Sequence, residues 1–220
     1  MLNPQAFSSK KFKKLFFIKI ANLIGLYRNI FFHATNQFEK KCIEKHILKK
    51  KNIVVIPNVP NVLPLKKKQI SKITKPIKLI SLARISKEKG TLKLIRTLAK
   101  INIKIKLDLY GSIYDDDYWF ECQESIKKLP NNINVSYEGI IAREKINDKL
   151  LNYDFFVSFT EGENFGHSIF ESLSVGLPVL ISNQTPWKKL RQKKIGWDFN
   201  LNNEKEILSV FKDVSEMNCS

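Results

Sequence analysis

The chain has 220 residues, with 38 Lys and Arg against 21 Asp and Glu, a net charge of +17 and a pI near 9.7. At 43% hydrophobic and 27% charged residues it has a globular composition, long enough to bury a core and unlike a disordered tail. No apolar run reaches the roughly 18 residues of a spanning helix, and lysines break the apolar stretches near the start, unlike a secretory signal.

Cys42, Cys122 and Cys219 are odd in number and far apart, which argues against a disulfide framework and for a reducing compartment. They form no ligand cluster with His33, His46 or His167, so neither a metal nor a cofactor is expected. The positive charge calls for an anionic counterpart: a substrate, a membrane surface or nucleic acid.

Residues 1–56 hold twelve Lys and Arg against two Glu. Lys10–Phe32 mixes lysines with aromatic and aliphatic residues in a helix-like way. It suits an anionic membrane surface or packing on a domain with its lysines in water, and both readings stay open. Nucleic acid is not expected, because no recognised motif accompanies the basic stretch. A basic membrane- or nucleic-acid-associated protein remains the competing class.

Phe31–Ala34 reads as a short strand. Thr35 or Asn36 can cap a helix over Phe38–Leu48. Asn52–Ile56 is a β-branched strand closed by Pro57 and Asn58. Residues 59–76, with Pro60, Pro64 and Pro76, read as a linker.

Strands and helices then alternate. Ile77–Ala83 is a strand, Arg84 to Gly90 a turn and Thr91–Lys100 a helix. Ile103–Tyr110 is a strand ending at Gly111, and Asp117–Leu129 a helix. Ile133–Tyr137 is a strand ending near Gly139, followed by a short helix over Arg143–Leu150. Tyr153–Phe159 is a strand, Gly166–Val175 a helix and Val179–Ile181 a strand. Trp187–Gln192 is predicted as a short helix, Gly196–Phe199 as extended and Asn203–Val214 as the last helix. This alternation predicts an α/β fold with a parallel, doubly wound sheet. Ligands of such sheets sit outside the carboxyl ends of the strands. Arg84–Lys89, Gly111-Ser112, Glu161–His167 and Asn183–Trp187 all fall on that edge.

Two of these segments carry chemistry. In Thr160–Ser182 a loop holds Gly162, Glu163, Asn164 and Gly166 and runs into a helix that carries His167 and Glu171 on one face. Free N–H groups at a helix start favour anions, and carboxylates accept hydrogen bonds from sugar hydroxyls. The plainer alternative has Glu163 capping the helix and Glu171 in water. In Arg84–Gly90, Lys87 and Lys89 stand at a helix start, where the macrodipole disfavours cations. A bound diphosphate would resolve that conflict, and solvated lysines are the alternative. Trp119, Trp187 and Trp197 read as core or rim, with Trp187 on the binding edge.

ENFGHSIFESLSVGLPVLIS resembles the donor-site motif of retaining GT-B glycosyltransferases of group 1, the family 4-like class. ARISKEKG is similar to the same family's arginine-lysine signature, with Ala83 where a glycine is usual. The resemblance covers residues 77–200, and residues 1–60 more loosely, where Val59 stands in place of the usual glycine after Pro57 and Asn58.

It implies three parts: 1–58 as a remnant of an N-terminal, acceptor-side domain, 59–76 as a linker, and 77–220 as a Rossmann-like nucleotide-sugar-binding domain. MLNPQAF resembles an internal segment, so most of the N-terminal domain is expected to be missing. The implied catalytic residues are Arg84 and Lys89 on the diphosphate and Glu163 on the sugar. The implied donor-binding residues are Gly111, Asn164, Phe165, Gly166, His167, Ser168 and, on the ribose, Glu171. The implied reaction moves a sugar from a nucleotide-diphosphate sugar to a hydroxyl of a glycan or lipid-linked acceptor, with retention and without metal. Its setting would be bacterial surface polysaccharide or lipopolysaccharide assembly, in the cytoplasm at the inner face of the membrane. The alternative is a donor-binding fragment that is inactive or depends on a separate chain for its N-terminal domain.

Overall fold

The structure, a computed structural model, describes residues 11–47, 52–56, 68 and 75–217. MLNPQAF, Lys10, the Pro57–Asn58 turn, most of the linker and Cys219 lie outside the described residues. The chain divides into two units, Met1–Pro60 and Asn61–Ser220.

In the first unit, α1 (Lys11–Leu23) is followed by β1 (Phe32–Ala34), α2 (Gln37–His46) and β2 (Ile53–Val55). The two strands pair in parallel, with His33 opposite Val54. The helix expected over Lys10–Phe32 is shorter, because the chain leaves it for turns at Leu23 and Gly25 takes φ +70°. Asn36 caps α2: its side chain accepts from Glu39 N–H at 2.8 Å. The Glu39 carboxylate reaches back to Thr35 N–H at 2.8 Å, a variant of the capping box. Ile18, Ala34, Ile43 and Ile47 form a small core.

The second unit is a six-stranded, all-parallel sheet in the order β5-β4-β3-β6-β7-β8. Its strands are β3 (Ile77–Leu82), β4 (Ile105–Tyr110), β5 (Ile133–Tyr137), β6 (Phe155–Ser158), β7 (Val179–Ser182) and β8 (Gly196–Phe199). The helices are α3 (Thr91–Leu98), α4 (Asp116–Lys127), α5 (Ile146–Leu150), α6 (His167–Ser174) and α7 (Glu204–Glu216). This doubly wound order reverses direction between β3 and β6, the place where such sheets open a crevice.

Successive strand residues feed opposite faces. Leu79, Leu107, Phe155 and Val157 join Leu94, Leu98 and Phe211 on one face. Ile80, Phe156, Val179 and Ile181 join Ile169, Val175 and Leu190 on the other. Each such side chain contributes about 1.5–3 kcal/mol when fully buried, which is why these strands read as continuous apolar runs.

One expectation needs correction. Trp187–Gln192 is not a helix: it is irregular to Lys189 and then forms turns. The Asp198 carboxylate on β8 accepts from Leu190 N–H at 2.9 Å and Lys189 N–H at 3.2 Å. Lys189 and Lys194 both take positive φ, 58° and 57°, which ends any helical run.

Candidate functional site

The segment leaving β3 is wedged between the exits of β4 and β6. On the β4 side, Ala83 N–H donates to Tyr110 O at 3.0 Å and Ile85 N–H to Ser112 O at 2.9 Å. Gly111 makes this approach feasible. Its φ is +147°, and a Cβ there would stand 2.0 Å from the Ala83 carbonyl oxygen. On the β6 side, Glu161 N–H donates to Glu88 O at 2.8 Å. A Cβ on Gly90 would lie 2.2 Å from Phe159 O, so only glycine fits between the turn and β6.

The loop after β6 is fixed in turn to the exit of β7. The Thr160 carbonyl accepts from the buried Ser182 hydroxyl. Glu163 N–H donates to Gln184 O at 3.2 Å. The loop ends at Gly166, the N-cap of α6, which has φ +78° and no side-chain cap. Among the described residues no side chain caps the first N–H groups of α6, the arrangement that favours an anion.

Lys89 and Glu163 meet across this edge, Nζ against Oε1. Glu163 thus does not cap α6, contrary to the plainer alternative. Arg84 stays apart from that pair. It is 52% exposed, lies 3.4 Å from Glu88 Oε1 and places its guanidinium 5.1 Å from the Tyr114 ring centre. The structure therefore joins Lys89 to the β6 loop and turns Arg84 towards the loop after β4.

Glu171 is half-buried on α6. Burial pushes its carboxyl above the ordinary range, partly offset by the positive charge of Arg143 and then by His167. His167 is exposed and lies against Phe165 with the rings tilted by 50° and their centres 4.9 Å apart. Asn164 and Ser168 are partly buried, and the Ser168 carbonyl accepts from the Ser172 hydroxyl at 2.7 Å.

Three participants escaped the sequence reading. Arg143 acts on Glu171 from the loop after β5. Thr160 Oγ1 accepts from Gly162 N–H at 3.3 Å and so shapes the loop. Ser86 is buried, with a hydroxyl that has no partner among the described residues, beside the Lys87–Lys89 turn.

A family profile described as glycosyl transferases group 1 matches residues 64–214, more than half of the chain. The chain belongs to the group 1 glycosyltransferases. Among curated proteins nothing matches it. Several solved structures are similar to this chain. Anabaena Alr3699/HepE, in complex with UDP and glucose, is 19% identical with a TM-score of 0.74, over 99% of this chain and 60% of that one. The lipopolysaccharide outer core galactosyltransferase WaaB is 18% identical with a TM-score of 0.63, over 84% and 52%. A glycosyltransferase from Rickettsia africae is 20% identical with a TM-score of 0.64, over 91% and 57%.

At these identities the likeness shows the fold, which is of the GT-B type. The chain spans about 60% of the length of the HepE chain. Its sheet order and the wedge of the β3 turn between β4 and β6 put the cationic and carboxylate residues on the carboxyl edge of the sheet.

Proposed function

We propose that this chain binds a nucleotide-diphosphate sugar at the β3/β6 crevice and takes part in its transfer, with retained anomeric configuration, to a hydroxyl of a glycan or lipid-linked acceptor. The observation that carries the reading is the meeting of Lys89 and Glu163 beside the uncapped start of α6. It sets a cation and free N–H groups, which suit a diphosphate, against a carboxylate, which suits sugar hydroxyls.

In this reading Arg84 and Lys89 neutralise the leaving diphosphate as the glycosidic bond breaks. Glu163 orients the sugar and Glu171 accepts from the ribose. Gly111, Asn164, Phe165, Gly166, His167 and Ser168 line the donor. The acceptor is activated by the departing phosphate oxygen, without a glutamate nucleophile.

Bacterial surface polysaccharide or lipopolysaccharide assembly is the proposed setting, at the inner face of the cytoplasmic membrane. The exposed Phe12 (87%) and Leu23 (85%) on the lysine-bearing α1 support that location. Among the described residues no helix is long and apolar enough to cross a membrane.

A second reading is a donor-binding unit that needs a further domain or partner chain for transfer. It is favoured by the β1–β2 sheet, because parallel sheets are normally larger and buried on both faces.

Calorimetry against UDP, GDP, ADP and their common sugar conjugates tests the donor site. One nucleotide class should bind, and Glu171→Ala and Arg84→Ala should each weaken it. A folded protein that binds none of them refutes the reading. Turnover with the bound donor then separates the two readings.

A further inference from the structure

We propose that Glu163 masks Lys89 from free phosphates and nucleoside diphosphates, and releases it when a sugar nucleotide enters. The site would then favour donor over product. This inference rests on the donor-site reading above and adds a selectivity role for one of its residues.

Both cations that face the proposed diphosphate already have carboxylate partners, but the two pairs differ. Arg84 and Glu88 are 52% and 39% exposed at the side chain and 3.4 Å apart. Water and salt screen such a pair, and it yields readily. Lys89 and Glu163 are 17% and 25% exposed and in direct contact. Screening is weaker there, so the partner of Lys89 has to be replaced and not merely outcompeted.

The backbone holds the two residues together. The turn that carries Lys89 is bonded to the β6 loop through Glu161 N–H and Glu88 O at 2.8 Å, and Glu163 N–H is fixed to Gln184 O at 3.2 Å. Gly90 packs against the Phe159 carbonyl. Neither charge can withdraw by moving its loop without breaking these contacts. Only side-chain rotation separates them.

Hydrogen-bond chemistry then distinguishes ligands. An ionised carboxylate is an acceptor only. A sugar nucleotide brings phosphate oxygens for Lys89 and hydroxyl donors for Glu163, so both members of the broken pair find new partners. A nucleoside diphosphate presents only acceptor oxygens at its phosphate end, its ribose hydroxyls being directed to Glu171 in the reading above. It leaves Glu163 as a partly buried, unpaired anion next to its own negative charge, which is unfavourable. After transfer, re-formation of the Lys89–Glu163 pair would help to expel the product.

The test is calorimetry on the full chain with UDP, GDP, ADP and the matching glucose conjugates, using the nucleotide that binds best. Glu163→Gln keeps the shape and removes the charge. It should tighten the nucleoside diphosphate by about 3- to 10-fold and weaken the sugar nucleotide. In a Lys89→Gln background the same change should give a smaller gain, because the masked partner is gone. If Glu163→Gln does not fold, as judged by its melting temperature, Glu163→Ala carries the same comparison. A diphosphate that binds wild type but gains nothing in the folded variant overturns the mask alone. If no nucleotide binds either protein, the donor-site reading falls and the mask with it.

Discussion

The indole N–H of Trp187 donates to the backbone oxygen of Phe165 at 2.6 Å, joining the segment after β7 to the entry of α6. The Phe165 ring lies between Trp187, at 6.2 Å, and His167, at 4.9 Å. One hydrogen bond and two ring contacts thus set the direction in which α6 presents its first turn. Trp187→Phe keeps much of the ring contact and removes the donor. It should cost about 1 kcal/mol in urea denaturation. An unchanged midpoint would show that water replaces the indole.

Gly111 has no substitute. With a Cβ 2.0 Å from the Ala83 oxygen, Gly111→Ala must push the exits of β3 and β4 apart. The expected loss exceeds about 3 kcal/mol, seen as a lower melting temperature. A variant within about 0.5 kcal/mol of wild type would mean that the two backbones are not held this close.

Tyr153 OH donates to Asp108 Oδ2 at 2.7 Å in the core, while Asp108 Oδ1 has no partner among the described residues. Burial, followed by the Asp108 hydrogen bond, raises the Tyr153 pKa, so the phenol is a neutral donor. Tyr153→Phe removes this contact from a buried acid and should cost about 2 kcal/mol. Adding Asp108→Asn should recover part of the loss, because the buried carboxylate would otherwise keep only the half-exposed Lys106 ion pair, at 3.6 Å. A double variant no more stable than Tyr153→Phe would contradict this account.

Glu171 links stability to pH. Burial, only partly offset by Arg143 and His167, raises its carboxyl above the ordinary 4.5 in the folded chain. Above pH 4.5 the unfolded chain loses this proton first, so the folded state binds more protons and stability falls as pH rises through the folded value. Glu171→Gln should therefore be more stable than wild type at neutral pH, with the advantage vanishing as pH drops below 4.5. Denaturation at acid and neutral pH measures the difference, and an equal gain at both would rule out titration as its source. If Glu171 holds the ribose as proposed, the same variant should bind nucleotide more weakly, since a neutral amide oxygen replaces a charged acceptor.

Arg84 should separate binding from folding. Its ion pair is exposed and long, so Arg84→Ala should change stability by less than about 0.5 kcal/mol. If it holds the diphosphate, affinity for the bound nucleotide should fall about tenfold. Equal affinity in the two proteins would remove Arg84 from the site.

Much of the fold was legible because burial leaves local periodicities. The runs at Ile77–Leu82 and Phe155–Ser158 feed both faces of a covered sheet, so their strands could be read without knowing their neighbours. Asn36, Asp115 and Asn203 stand at helix starts whose N–H groups they satisfy, an equally local effect. Where local signal misled, a distant partner had intervened. The run Trp187–Gln192 has helix-forming residues, but Asp198 on β8 takes the N–H groups of Lys189 and Leu190.

By itself the sequence determined the alternation of strands and helices, and the placing of Glu163 in a loop and Glu171 on the helix behind it. Spacing along one chain is enough for that. The tertiary structure alone decided that Lys89 meets Glu163 across 74 residues while Arg84 turns to Glu88 and Tyr114. It also decided that β3 lies between β4 and β6. Those outcomes depend on strand order, which comes from packing summed over both faces of the sheet, and no single segment encodes it.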